Sequence, residues 1–261
     1  MKPLPWRNAP MSDRRSFLRM TIAGAAGLVL AGCDRISQTM WGPEVLGKAE
    51  GLNRRVQALL SPSSSMAREY TQADISPVFH PNGTTMPTTP AYRTLLANQF
   101  RDYKLQVDGL VSRPAMFSID DLKRLDTRTQ ITRHDCVEGW SAIGKWQGTL
   151  LSAVLDHVGV DPRARFVMFH CFDDMEEDTP YYESIVLAEA RHPQTLLAFA
   201  LNDQPLPVPN GAPLRLRIGR QLGYKQAKYL ARIELVSSFE DIGDGQGGYW
   251  EDQGYEWYAG I

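Results

Sequence analysis

Cysteine is scarce in this chain. Its 261 residues include three, Cys33, Cys136 and Cys171, too few for a disulfide scaffold and without the spacing of a zinc site. No Cys-x-x-Cys-His occurs, which excludes covalent haem attachment, so electrons would have to pass to or from another protein. A surplus of one charge sign is also missing. The formal net charge is −2, which gives no reason to expect nucleic acid as a partner. There is no internal repeat. The apolar run from Met20 to Ala31 is too short for a comfortable transmembrane span. What remains, 43% hydrophobic over 261 residues, fits one globular core with extensions.

The first residues read as a targeting segment. Arg14-Arg15-Ser16-Phe17-Leu18 precedes the Met20–Ala31 run and resembles the twin-arginine export signal. The run ends Leu30-Ala31-Gly32-Cys33, which resembles a lipobox. On that reading residues 1–32 are removed and Cys33 is acylated, anchoring the protein to the inner membrane on its periplasmic side. The twin-arginine route carries folded cargo, which points to a cofactor inserted before export.

Further on, apolar spacing from Glu44 to Leu60 predicts an amphipathic helix broken by Ser61-Pro62-Ser63. Ile75 to Pro90 is rich in Pro, Thr, Asn and Gly and reads as irregular chain. It contains Phe79-His80-Pro81-Asn82-Gly83, which groups a ring, an imidazole and an amide. The core is expected over residues 102–239, after an N-terminal extension at 33–101 and before an aromatic tail at 240–261. Strands are predicted over Tyr103–Gly109, Thr129–Thr132, Arg165–Cys171, Thr195–Leu201, Leu214–Ile218 and Tyr229–Val236. Helices are predicted to start at Ser118, to run over Leu150–Val158 with a stop at Gly159, and to cover Ser184–Ala190. Mixed strands with interspersed helices argue an α+β fold.

Arg133-His134-Asp135-Cys136-Val137-Glu138-Gly139-Trp140-Ser141 carries the strongest chemical signal. Cys136 falls where a strand should end, before a turn. A thiol there suits a metal ligand or a nucleophile, and Arg133 and His134 beside it would favour thiolate. A buried structural cysteine is the plain alternative. Downstream, Arg215 and Arg217 share one strand face, and Gly223-Tyr224-Lys225-Gln226-Ala227-Lys228 puts two lysines on a loop fit for a phosphate.

Together these segments resemble the sulfite-oxidase-type molybdopterin-dependent oxidoreductases, and within them the periplasmic protein-methionine-sulfoxide reductase catalytic subunits. Cys136-Val137-Glu138-Gly139-Trp140-Ser141 is similar to that family's cysteine segment. Leu206 to Leu216 is similar to its cofactor cradle, and Gly223 to Lys228 to its Gly-Phe-Lys-x-x-Lys loop. The three matches fall in the family's order. The resemblance implies a molybdenum–molybdopterin cofactor, with Cys136 as thiolate ligand of the metal and catalytic residue. It implies cofactor contacts from Cys171, Asn210, Arg215, Lys225, Gln226, Ala227 and Lys228, and from His80 and Asn82 upstream. It also implies two-electron oxygen-atom transfer on a small-molecule or protein-bound substrate, with a membrane cytochrome or similar electron carrier as partner.

Two departures bear on the substrate. The sulfite oxidases carry an arginine-rich stretch after their cysteine, whereas Val137-Glu138-Gly139-Trp140 stands here. Asp173-Asp174-Met175-Glu176-Glu177-Asp178 would place acids at the mouth and disfavour sulfite or nitrate. The rival readings are a cysteine hydrolase or thiol redox protein using Cys136 with His134 or His170, and a lipid-anchored binding or assembly protein without metal. Cys136 and Cys171 are expected close together, unbonded, on a common pocket with Arg215, Lys225 and Lys228.

Overall fold

The computed structural model describes residues 65–176 and 179–261. The export segment, Cys33 and the helix expected over Glu44 to Leu60 lie outside the described residues. Two five-stranded sheets form the body. In the first, β1 (Leu105–Gly109) lies between β2 (Ala115–Phe117) and β10 (Leu230–Val236), followed by β5 (Phe166–Glu176) and β6 (Thr179–Val186). The β1–β10 pair is parallel and the others are antiparallel. The second sheet runs β3 (Thr127–Asp135), β4 (Ser141–Leu150), β7 (Leu196–Leu201), β8 (Gln204–Pro205), with β9 (Arg215–Arg217) also paired to β7. The architecture is α+β, with short helices between strands.

Period-two patterning drives the sheets together. Leu105, Val107, Val167, Phe169, Ile233 and Leu235 from the first sheet share one buried cluster with Leu197, Leu214 and Leu216 from the second. Helix α3 (Leu151–Val158) adds Leu151, Val154, Leu155 and Val158, spaced for one helix face. Gly159 ends it at φ +69°, a conformation that costs glycine little. Helix α2 (Ile119–Arg124) starts with a reciprocal Ser118–Asp121 capping box. Helix α1 (Pro90–Ala97) opens with proline in its first turn. One-turn helices α4 (Leu187–Ala190) and α5 (Tyr249–Asp252) complete the set among the described residues.

Three expectations need correction. Ser184 is not in a helix but in β6, opposite Met168 of β5; the ladder captures Thr179–Val186 and leaves one helical turn after it. Cys171 does not close its strand, because β5 continues to Glu176. Strand β4 was not anticipated, since Gly144 and Gly148 weaken its apolar signal. Both glycines mark close approaches instead. A Cβ at Gly144 would lie 3.0 Å from the Phe79 ring, and one at Gly148 would lie 2.4 Å from the Leu197 carbonyl oxygen. Gly148→Ala should therefore lower stability by about 1–3 kcal/mol through overpacking between β4 and β7, as measured by urea denaturation.

Candidate active site

Strands β3 and β4 pair from Thr127–Thr149 out to Asp135–Ser141, and the turn that joins them carries Cys136. The Cys136 amide donates to the Trp140 carbonyl at 2.9 Å, and the Gly139 amide donates to the Cys136 carbonyl at 3.1 Å. Gly139 has φ +89°, which a side chain would resist. The Ser141 hydroxyl donates to Asp135 Oδ1 at 2.6 Å, closing the base of the turn. Glu138 ties the turn outward: it accepts from Trp140 Nε1 at 2.9 Å and from the Gly83 amide at 3.2 Å. Phe79 anchors that upstream loop, with its ring edge-on to Trp146 at 5.1 Å and to Trp140 at 6.2 Å.

Cys136 opens onto a cleft of about 190 Å³. The upstream loop supplies Asn82, Gly83 and Thr84; β5 supplies Asp173 and Met175; the 223–228 loop supplies Tyr224, Gln226, Ala227 and Lys228; Trp250 and Tyr255 close the far side. A larger groove of about 640 Å³ is lined by Phe100, Lys123, Phe199 and Pro205. It contains neither cysteine and none of the buried cations described next, so volume alone does not mark the site.

Those cations are the unusual feature. Arg215 and Arg217 are fully buried, and Lys228 is 6% exposed. None of them makes an ion pair with a described carboxylate. Arg215 donates to the carbonyls of Asn210 (2.9 Å) and Gln226 (3.2 Å). Arg217 donates to Thr132 Oγ1 (3.0 Å), the Arg133 carbonyl (2.5 Å) and the Gln226 side chain. Lys228 Nζ donates to the carbonyls of Asn82 (2.6 Å), Pro209 (3.0 Å) and Thr84. Both guanidinium carbons lie 5.2 Å from the centre of the Trp146 ring, a contact that favours cations. Carbonyl dipoles and one ring face ease the desolvation of three charges but do not neutralise them.

The titration behaviour follows from that crowding. Burial pushes Lys228 down to about 7, with Arg215 adding to the effect. Burial lowers Arg215 to about 10 and Arg217 to about 9, with Arg215 repelling Arg217. His134 is fully buried, and neither ring nitrogen has a partner. Burial and the neighbouring Arg217 and Arg215 hold it neutral, well below its ordinary value. Burial raises Asp173 to about 6. Burial also pushes the Cys136 thiol up, and the Glu138 carboxylate adds to this against backbone N–H donors.

The last point corrects the expectation that Arg133 and His134 would favour a thiolate. Arg133 is exposed and pairs with Asp135 at 2.9 Å, and His134 carries no charge to offer. His170 pairs with Glu234 at 3.0 Å on the other sheet. Neither histidine is set to activate Cys136 as a nucleophile.

The residues singled out in the sequence divide into three groups. Cys136, Asn82, Gln226, Ala227 and Lys228 meet at the cleft. Arg215 and Asn210 stand behind its wall, bonded to one another, with Asn210 Nδ2 unpartnered. His80, Cys171 and Lys225 do not line it. His80 lies against Trp140 at 5.9 Å. Cys171 is a free thiol packed in the main apolar cluster, where burial holds it protonated. Lys225 turns away into a buried ion-pair cluster with Glu183 and, at 2.5 Å, Glu251. The two cysteines are unbonded as expected, but they share no pocket with Arg215 and Lys225. Asp173 lines the cleft, in keeping with acids at its mouth, whereas Tyr181, Trp250 and Tyr255 are lining residues that the sequence reading does not single out. Only the tail's aromatic content hints at the last two.

Residues 93–241 match the family model described as the oxidoreductase molybdopterin binding domain. A putative protein-methionine-sulfoxide reductase subunit, YedZ1 of Azospira oryzae, is 38% identical over 249 residues, covering 95% of this chain and 87% of that protein. The protein-methionine-sulfoxide reductase catalytic subunit MsrP of Xanthomonas campestris pv. campestris is 35% identical over 53% of this chain and 46% of its own length. MsrP of Ralstonia nicotianae is 35% identical over 51% and 44%, so the chain matches slightly less than half the length of these two. The sulfane dehydrogenase SoxCD from Paracoccus pantotrophus aligns with a TM-score of 0.48 at 22% identity, over 53% of this chain and 39% of that one. The chain belongs to the molybdopterin-binding oxidoreductase family and is a molybdenum-dependent enzyme.

The residues present fit that cofactor. Its phosphate would meet buried cations that have no carboxylate partner. Its polar pterin edge would meet unpartnered atoms on Asn82, Asn210 and His134. Without it, burial holds Lys228 down to about 7 in the folded protein, against an ordinary lysine value of 10.5 in the unfolded chain. The unfolded chain then binds more protons between those values, so stability rises with pH across that window. Cofactor-free protein should gain up to ~1.4 kcal/mol per pH unit from pH 7 to 9 for this one proton. Denaturation midpoints across pH should show that slope, and Lys228→Met should flatten it.

Proposed function

We propose that Cys136 is the protein's thiolate ligand to molybdenum, at the floor of the cleft, and that the enzyme reduces S-oxides on the periplasmic side of the inner membrane. The observation that carries the cofactor seat is the buried group Arg215, Arg217 and Lys228, three cations with no ion pair to a described carboxylate, converging beside a cleft that contains a lone thiol. A thiol held protonated by burial makes a poor nucleophile at neutral pH, yet metal coordination deprotonates it. Soft sulfur suits a metal otherwise held by pterin sulfurs.

The bound cofactor supplies two-electron oxygen-atom chemistry. The chain's own residues bind and orient it. Lys228 and the Arg215 pair of bonds hold the anionic end, Gln226 and Asn210 present amides, and the 136–140 turn fixes the thiol. Asp173, raised to about 6 by burial, can hold or release a proton at the cleft, whereas the Trp140 hydrogen bond keeps Glu138 ionised. Reduction of an S-oxide takes two electrons and two protons and yields the thioether and water. The electrons come from a separate electron-transfer protein, and a membrane cytochrome subunit is consistent with relatives named as reductase subunits. Export by the twin-arginine route and a lipid anchor at Cys33 complete this reading.

Metal analysis tests it directly. Protein purified from cells competent in cofactor synthesis should carry near one molybdenum per chain. Cys136→Ser should lose the molybdenum–thiolate absorption and turnover while keeping its melting temperature. Serine-variant protein with wild-type activity would overturn the assignment. Lys228→Ala should lower molybdenum content by about tenfold or more, as expected for loss of a charge-assisted contact. Labelled fatty acid should appear on wild-type protein and be absent from Cys33→Ala.

A further inference from the structure

The wall of the cleft opposite the upstream loop comes from the C-terminal tail, past the end of the 93–241 family match. Trp250 and Tyr255 stand there with rings 5.3 Å apart, and Tyr255 meets Tyr224 edge-on at 5.2 Å. Met175 and Tyr181 continue the apolar surface toward Asp173. The tail is fixed from beneath. Glu251, in the one-turn helix α5 between these two rings, is 3% exposed and receives Lys225 at 2.5 Å. The same ammonium lies 5.5 Å from the Trp257 ring centre and pairs with Glu183. Tyr224 donates to the Glu256 carbonyl at 2.6 Å, Trp257 Nε1 donates to Ser184 Oγ at 2.8 Å, and the Leu222 amide donates to the Ala259 carbonyl at 3.0 Å. A buried lysine between two buried carboxylates is a costly arrangement to keep. Here it sets the position of two exposed-edge aromatics.

Charge points the same way. Among the described lining residues the carboxylates are Glu138 and Asp173, against one cation, Lys228. All three of that ammonium's hydrogen bonds go to carbonyls. A small oxyanion would meet two acids, while the one cation would face the cofactor's own anionic end. A neutral S-oxide on an apolar or aromatic group would meet ring faces that favour both sulfur and flat apolar surface.

We propose that the tail segment 248–257 is the specificity wall of this site. Trp250 and Tyr255 select neutral S-oxides bearing an aryl or similarly bulky apolar group, and Lys225 is the positioning residue that holds the wall through Glu251. This rests on the S-oxide reductase reading above.

The test uses holoenzyme, with methyl p-tolyl sulfoxide as the bulky probe and dimethyl sulfoxide as the small one. A reduced viologen dye supplies electrons for turnover, and equilibrium dialysis measures binding of the bulky probe without turnover. The double variant Trp250→Ala, Tyr255→Ala should keep its molybdenum. Its KM and dissociation constant for the aryl sulfoxide should rise about tenfold, and the ratio of the aryl to the dimethyl sulfoxide KM should rise with them. Glu251→Ala should shift the aryl KM in the same direction, and Glu251→Gln, which keeps an acceptor for Lys225, should restore it. An unchanged aryl-to-methyl KM ratio, or unchanged aryl binding by dialysis, would overturn the wall. Wild-type protein without molybdenum, or inactive on both sulfoxides, would instead break the reductase reading, and the dialysis comparison would still decide the wall.

Discussion

Three positive charges held out of water without carboxylate partners constrain the rest of the molecule. Arg215 and Arg217 project from one short strand toward Trp146, and Lys228 reaches the same region from the following loop. Burying such charges is unfavourable by several kcal/mol each, even after relaxation. The fold tolerates them because backbone carbonyls from three segments turn inward to meet them. Asn82, Thr84 and Pro209 surround one ammonium, and Asn210 and Gln226 flank one guanidinium. Those carbonyls come from loop and 3-10 turn positions rather than from strands, so their acceptors are not committed to a sheet ladder. An anion seated beside them would turn the least favourable part of the structure into one of its better ones.

The reactive thiol depends on this arrangement indirectly. The turn at 136–140 is braced by its own amides and by Glu138, whose carboxylate joins the turn to Gly83. The loop containing Gly83 is in turn fixed by Lys228 and by Phe79 against Trp146. Position of the sulfur and placement of the charges are thus two aspects of one network. His134, uncharged, packs there against the Phe79 and Trp140 rings.

Much of this was readable from residues. The cysteine segment and the Gln226-Ala227-Lys228 loop carry side chains whose chemistry needs a site, and both reach the cleft. Strands with clean alternation, such as Leu105–Gly109 and Leu230–Val236, appear close to where their pattern put them. The failures have physical causes. Lys225 and Lys228 are three apart on a loop that bends through a 3-10 turn, so one faces the cleft and the other the carboxylates of Glu183 and Glu251. Sequence alone does not indicate which carboxylates will be nearby. The run that predicts a strand ends at Cys171, yet pairing with β6 carries β5 on through the acids to Glu176. Trp250 and Tyr255 belong to a tail whose sequence shows only that it is aromatic. Nothing local distinguishes a ring that fills a core from one that lines an opening.

The parallel pair β1–β10 has a consequence for the order of events in the cell. Gln106 pairs with Arg232 across most of the described chain, and the cleft draws on Asn82 and Tyr255, which lie near the two ends of the described region. A ribosome delivers these segments in sequence, so no partial chain can hold the whole site. Contacts of such separation also form late and slowly. The cofactor therefore meets a chain already synthesised through Tyr255, and loading becomes a quality check on the assembled fold rather than a seed for it.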